Sequence, residues 1–145
     1  MRGLDQRSLN TDDGYTLTEM LIVILIISLI AAVLTPSLLG QLSRARAKTA
    51  ALQIETTATS LSLFKDDMGR YPTAEEGLKA LIANPGSIQG WLGPYLKSDK
   101  ALNDPWGHPL TYAVDSDGSV TVTCLGADDK PGGTGVDADI SEVVK

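Results

Sequence analysis

GYTLTEMLIVILIISLIAAVLTPSLLG, residues 14–40, is the stretch whose reading decides the fold. As a helix, Met20 to Gly40 reaches about 31 Å, close to the hydrocarbon thickness of a bilayer. The run is apolar on all sides, interrupted by Ser28, Thr35 and Pro36, so it suits lipid or the middle of a protein bundle. Pro36 removes one backbone donor near the far end and is expected to bend or loosen the helix there. Glu19 does not belong in an ordinary anchor. It sits at the lip of the run, and an acidic group deep in a membrane helix is penalised by about 2.5–3.5 kcal/mol on insertion scales, so it calls for a partner. The partner need not lie in the same chain, and a charge left unpaired by every wrong alignment favours one register of assembly.

Working outward, residues 1–14 are polar. Beyond Gly40 the apolar pattern becomes one-sided: Ala47, Ala51, Ile54, Ala58, Leu61, Phe64 and Met68 recur every three or four positions. That period predicts an amphipathic helix continuing the apolar one and ending at Gly69. TAEE, residues 73–76, has capping-box spacing, with Thr73 as cap and Glu76 reaching back. A short helix carrying Leu78, Leu81 and Ile82 is expected next, stopped by Asn84 and Pro85. Residues 86–107 show no period and read as a structured loop. PLTYAV and SVTVTCL alternate around DSDG, which predicts a small antiparallel hairpin. A Gly- and Asp-rich tail closes the chain.

Composition narrows the function. The net charge is −6 with Lys and Arg scattered, which argues against nucleic acid; the short cluster Arg44, Arg46, Lys48 reads as a membrane-interface anchor or a solvated face. Cys124 stands alone, so no intrachain disulfide forms, and a metal or a partner would help a thin core. Catalysis is not expected. His108 is the single histidine and no nucleophile, phosphate-loop or zinc spacing accompanies it. DSDG reads as a turn, Trp106 as packing the loop against the long helix, and Cys124 as a small buried residue. Ala45-Arg46-Ala47 has signal-peptidase spacing, but the apolar run exceeds such a peptide's core and flows on into the amphipathic helix.

The N-terminal stretch resembles the class III signal of type IV pilins and pseudopilins, in which a prepilin peptidase cuts after the glycine and methylates the new N-terminus. The resemblance makes Gly14 the residue before the cut, Tyr15 the new first residue, Glu19 the fifth, and Pro36 the helix-loosening proline. It implies that Glu19 neutralises the N-terminal amine of a neighbouring subunit. Tyr15 stands where the family usually has Phe, Thr18 where it has an apolar residue, and Asp12 and Asp13 where it has basic ones. YPTAEEGLKALI, DPWGHPLTY and LGADDKPGGTGVDADI resemble the major pseudopilin branch of type II secretion systems, general secretion pathway protein G; the final SEVVK departs from its common ending.

Asp128, Asp129, Asp137 and Asp139 crowd the last of these motifs. Spacing alone leaves a solvated acidic loop and a calcium site both open, since no Glu closes an EF-hand frame. The resemblance implies calcium, with Asp128 and Asp139 as side-chain ligands, Leu125 and Lys130 giving backbone carbonyls, and Asp137 a weaker ligand because Ala138 splits the usual Asp pair.

The expected architecture is α+β and type IV pilin-like: a long N-terminal helix, half membrane and half amphipathic, packed on a small antiparallel sheet with a C-terminal calcium loop. Residues 1–14 are the leader, 15–40 the membrane and assembly helix, and 41–145 a periplasmic domain. The resemblance implies self-assembly into a periplasmic pseudopilus that drives export of folded proteins. It also implies minor pseudopilins, a prepilin peptidase and an inner-membrane assembly platform as partners, with a single-pass inner-membrane location before assembly. Basic residues number two before the run and three soon after it; that count favours the opposite orientation, and the resemblance overrides it. The alternatives are a type IV pilin or minor pseudopilin, or, in a different class, a membrane-anchored periplasmic binding domain.

Overall fold

The computed structural model describes residues 14–86 and 88–145, Pro36 through its backbone alone. The leader expected over residues 1–14 therefore lies outside the described residues except for Gly14. One long helix, α1 (Leu17–Met68), precedes three strands, β1 (Thr111–Val114), β2 (Val120–Cys124) and β3 (Ile140–Val144), with short 3-10 helices at Gly77–Leu81, Asp99–Leu102 and Gly135–Asp137. The chain divides into two units between Leu39 and Gly40. The helix assignment continues through position 36.

In the first unit, α1 is long and apolar enough to cross a membrane. Every side chain described there is exposed. The hydroxyls of Ser28 and Thr35 donate to the Ile24 and Ala31 carbonyls at 2.7 and 2.6 Å. Bonding back to the helix satisfies them without a partner, so they do not spoil an apolar surface.

In the second unit α1 lies against the core. Its buried stripe is Ala50, Ile54, Thr57, Ala58, Ser60, Leu61 and Phe64, joined by Tyr71, Leu78, Leu81, Leu96, Leu110, Val120, Val122, Cys124 and Val144. Ala51, expected in the stripe, is exposed and Ala50 is buried in its place. From Ile54, four residues back is the same face, whereas three back is displaced toward the flank, and the small Ala gives hydropathy no means to choose. Thr57 and Ser60 are buried because their hydroxyls accept a local solution, donating to the Gln53 and Thr56 carbonyls at 2.8 and 3.0 Å. At the end of α1, Gly69 takes the left-handed conformation, φ +72°, and its N–H donates to the Lys65 carbonyl at 2.7 Å, as a glycine C-cap should.

The sheet order is β1-β2-β3, all antiparallel. The β1–β2 hairpin is the expected one. β2 alternates strictly, burying Val120, Val122 and Cys124. β3 is an addition: ISEVV, expected only as the end of a tail, pairs Val144 with Val120 and Ile140 with Cys124. Its three β-branched residues after a Gly- and Asp-rich loop were the available signal.

Candidate functional site

At the entrance to α1, Thr16 caps the helix. The Glu19 N–H donates to Thr16 Oγ1 at 3.1 Å and the Met20 N–H to the Thr16 carbonyl at 3.1 Å. Thr16 and Glu19 have capping-box spacing, yet among the described residues the return arm, from the Thr16 N–H to the Glu19 carboxylate, is not made. The Glu19 side chain stands exposed and, among the described residues, has no ion pair. Its place in the first turn suits the positive end of the helix dipole, which is worth about 0.3–1 kcal/mol and does not neutralise the charge. Gly14 and Tyr15 are exposed ahead of this cap, Tyr15 at 77%. The cap was legible as Thr-x-x-Glu before an apolar run.

Beyond α1, the capping box at residues 73–76 forms in both directions. The Glu76 N–H donates to Thr73 Oγ1 at 3.2 Å and the Thr73 N–H to Glu76 Oε2 at 2.8 Å. It opens a 3-10 helix of five residues, shorter than the helix expected and ending before Asn84. Arg70 grips the same carboxylate with both nitrogens, at 2.6 and 2.8 Å. That bidentate guanidinium, foremost, holds the Glu76 carboxyl down at about 2. Nearby, burial pushes the Tyr112 phenol up to about 12, and its hydroxyl donates to the Pro72 carbonyl at 2.7 Å.

The loop over residues 86–107 is organised by polar anchors. Trp91 Nε1 donates to the Ala80 carbonyl at 2.9 Å, and the Tyr95 hydroxyl to Asp67 at 2.8 Å; Tyr95 meets Phe64 and Trp91 edge-on. Trp106 is half-buried against the core. Sequence reasoning missed Asp104, whose side chain is 2% exposed. Its Oδ1 accepts the N–H groups of Trp106 and His108 at 2.9 and 2.8 Å. Oδ2 faces the Cys124 thiol at 3.5 Å and His108 Nδ1 at 3.4 Å. DPWGH is thus a turn wrapped around one carboxylate, and an Asp at the first position of a turn with Gly107 three residues on was the signal. Burial raises the Cys124 thiol above its ordinary range, which suits the small buried residue expected. Asp115 and Asp117 spend their oxygens on Ser119 and Thr121, so DSDG is the turn it was read to be.

The acidic loop runs from the end of β2 to the start of β3. Asp128 Oδ1 accepts the Lys130 N–H at 3.2 Å, and Asp139 Oδ2 accepts the Gly132 N–H at 2.9 Å, so both carboxylates bind the same three-residue stretch. The Ala127 N–H reaches the Val136 carbonyl at 3.0 Å. Gly126, φ +72°, lies so close to Asp137 that a Cβ would sit 2.6 Å from its carbonyl carbon; only glycine permits that approach. Leu125 and Asp137 are half-buried, whereas Asp128, Lys130 and Asp139 are exposed. Among the described residues no three carboxylate, His or Cys side chains are gathered as a metal cluster.

A long helix with an exposed apolar half, its other half laid on a small antiparallel sheet, defines a pseudopilin-class subunit. A crystal structure of the major pseudopilin from the type 2 secretion system of enterohaemorrhagic Escherichia coli matches with a TM-score of 0.51 at 26% identity, over 73% of this chain and 93% of that one. Residues 9–35 match the prokaryotic N-terminal methylation motif. Residues 37–143 match type II secretion system (T2SS), protein G, and the chain belongs to that family. Type II secretion system core protein G of Xanthomonas campestris pv. campestris is 40% identical over 128 residues, 88% of this chain and 87% of the relative. Its counterpart in Vibrio cholerae is 34% identical over 138 residues, 92% and 93% of the two chains. The family is structural rather than catalytic.

Proposed function

We propose that this pseudopilin of type II secretion is cut after Gly14, methylated on Tyr15, and polymerised into a periplasmic pseudopilus that drives folded proteins across the outer membrane. The observation that carries the reading is Glu19, a carboxylate with no ion pair among the described residues, on the first turn of an apolar helix inside a matched methylation motif. Cutting after Gly14 creates an amine four residues upstream of Glu19, and a neighbouring copy presents that amine inside a helix bundle. Before assembly the apolar half of α1 spans the inner membrane once, with residues 41–145 in the periplasm. Because the same surface suits lipid and a helix bundle, an ATPase-driven platform can extract it. Prepilin peptidase, minor pseudopilins and that platform are the partners; nucleic acid is not one, and no catalysis is assigned. Mass spectrometry of the chain from native membranes tests this: a methylated Tyr15 N-terminus is expected, and an intact leader overturns it.

We also propose calcium at the acidic loop. Hard oxygen donors on a glycine-rich backbone are the right chemistry, and Asp128 and Asp139 converge on residues 130–132. These two carboxylates would hold the ion with the Leu125 and Lys130 carbonyls, Asp137 contributing more weakly. Bound calcium would neutralise a stretch carrying four Asp against one Lys and staple the β2–β3 connection. Calcium at about 100 times its Kd is expected to add about 2.7 kcal/mol. Asp128→Ala should abolish that gain; equal melting curves with calcium and with chelator would sink the site.

A further inference from the structure

Three cations follow the apolar run closely. Arg44, Arg46 and Lys48 are exposed, and among the described residues none of them is in an ion pair. The chain has no acidic residue between Glu19 and Glu55, so α1 offers them no opposite charge at the i+3 or i+4 spacing. Orienting the chain is not their use. With residues 41–145 in the periplasm, they work against the charge rule for membrane topology.

Their depth and direction point to lipid. A span from Met20 to Gly40 fills the hydrocarbon core, and the three positions lie about 6, 9 and 12 Å beyond Gly40 along the helix. The headgroup layer on each side of the core is about 5–8 Å deep. Helix side chains tilt toward the N-terminus, so these long side chains lean back toward Gly40 and bring their charged ends into that layer. Their placement around the helix does not suit a one-sided partner. At about 100° per residue, Lys48 lies about 40° from Arg44 and Arg46 about 200° from it, so the cations occupy opposite faces. A protein on one face would meet either the pair or Arg46, whereas headgroups surround a helix that crosses them and meet all three.

We propose that Arg44, Arg46 and Lys48 form a collar that binds the phosphates of anionic phospholipids around the unassembled subunit. Arg44 and Lys48 take headgroups on one side of the helix and Arg46 takes one on the other. The collar sets how deep the chain sits and resists its withdrawal until assembly, so the anionic lipid content of the membrane tunes how readily a subunit is extracted. The inference rests on the reading of α1 as a single membrane span and adds which lipids that span selects.

The test uses the full chain in phosphatidylcholine vesicles, with a fluorescent donor on Leu42→Cys and traces of acyl-labelled acceptor lipid. Leu42 is 50% exposed; the native Cys124 is buried and controlled by the unmutated chain. Energy transfer to labelled phosphatidylglycerol is expected to report about fivefold local enrichment over labelled phosphatidylcholine, the effect of one cation per headgroup. The enrichment should vanish in about 1 M salt, where the Debye length falls to about 3 Å. It should vanish too in the triple variant Arg44→Gln, Arg46→Gln, Lys48→Gln, whereas Arg46→Gln alone should keep most of it; Arg2 and Arg7 are the same in every chain. Equal transfer to both lipids, an enrichment that survives the triple variant, or complete loss with Arg46→Gln alone overturns the collar and leaves the span standing. An enrichment seen only at high protein-to-lipid ratio assigns the cations to an acidic neighbouring copy and overturns the collar as well. Transfer to neither lipid shows that the chain does not span, and overturns both readings.

Discussion

Glu19→Ala should leave the chain in the membrane and remove its fibres. The substitution erases a charge that opposes insertion, so carbonate-resistant membrane association is expected to stay complete or rise slightly. The structural loss in the single chain is small: the Thr16 cap bonds the Glu19 backbone, not its side chain, leaving only a dipole contribution of about 0.3–1 kcal/mol. The loss in the polymer is large, because each subunit would bury a neighbour's amine without its carboxylate, and a broken buried pair costs about 3–5 kcal/mol. At about 1.4 kcal/mol per decade that is at least a hundredfold weaker contact, repeated at every step of growth. Glu19→Gln separates the two accounts. It keeps size and hydrogen bonding but not charge, so fibre loss with normal insertion assigns the effect to pairing, whereas normal fibre yield from either variant refutes the pairing.

What could be read without coordinates was whatever is local and periodic. The apolar run, the amphipathic half of α1, the Gly69 cap, the Thr73–Glu76 box and the hairpin all depend on residues a few positions apart, and all are present. Failures came where the decision is tertiary. Ala50 and Ala51 differ only by which way the helix is rolled onto the core. Thr57 and Ser60 look polar until their hydroxyls turn back onto the helix. β3 has little alternation of its own and becomes a strand because β2 offers it an edge. Arg70 binds the Glu76 carboxylate across a bend that no spacing rule describes, and Asp104 appears as one more loop aspartate until a turn closes over it. The acidic loop was legible as a crowd of Asp on a Gly-rich stretch, and the convergence of Asp128 and Asp139 on residues 130–132 needed the fold.

Asp104→Ala should destabilise the second unit more than any surface change in it. The carboxylate is almost wholly buried and is the acceptor for two part-buried backbone N–H groups of the surrounding turn. Truncation leaves both donors orphaned, each at about 1–3 kcal/mol, and removes the group that His108 and the Cys124 thiol face. A net loss of about 3 kcal/mol is expected. For a unit of this size it lowers Tm by about 12–20 °C, read by circular dichroism of the full chain in detergent. Asp104→Asn is the discriminating variant. Its amide oxygen can still accept both N–H bonds while the charge is gone, so if the turn depends on the acceptor the loss shrinks to about 1 kcal/mol. If instead the charge beside His108 carries the stability, Asn will be as damaging as Ala. An Ala variant melting with the unmutated chain would show that the turn over DPWGH holds itself without Asp104, and that the buried carboxylate is a passenger in it.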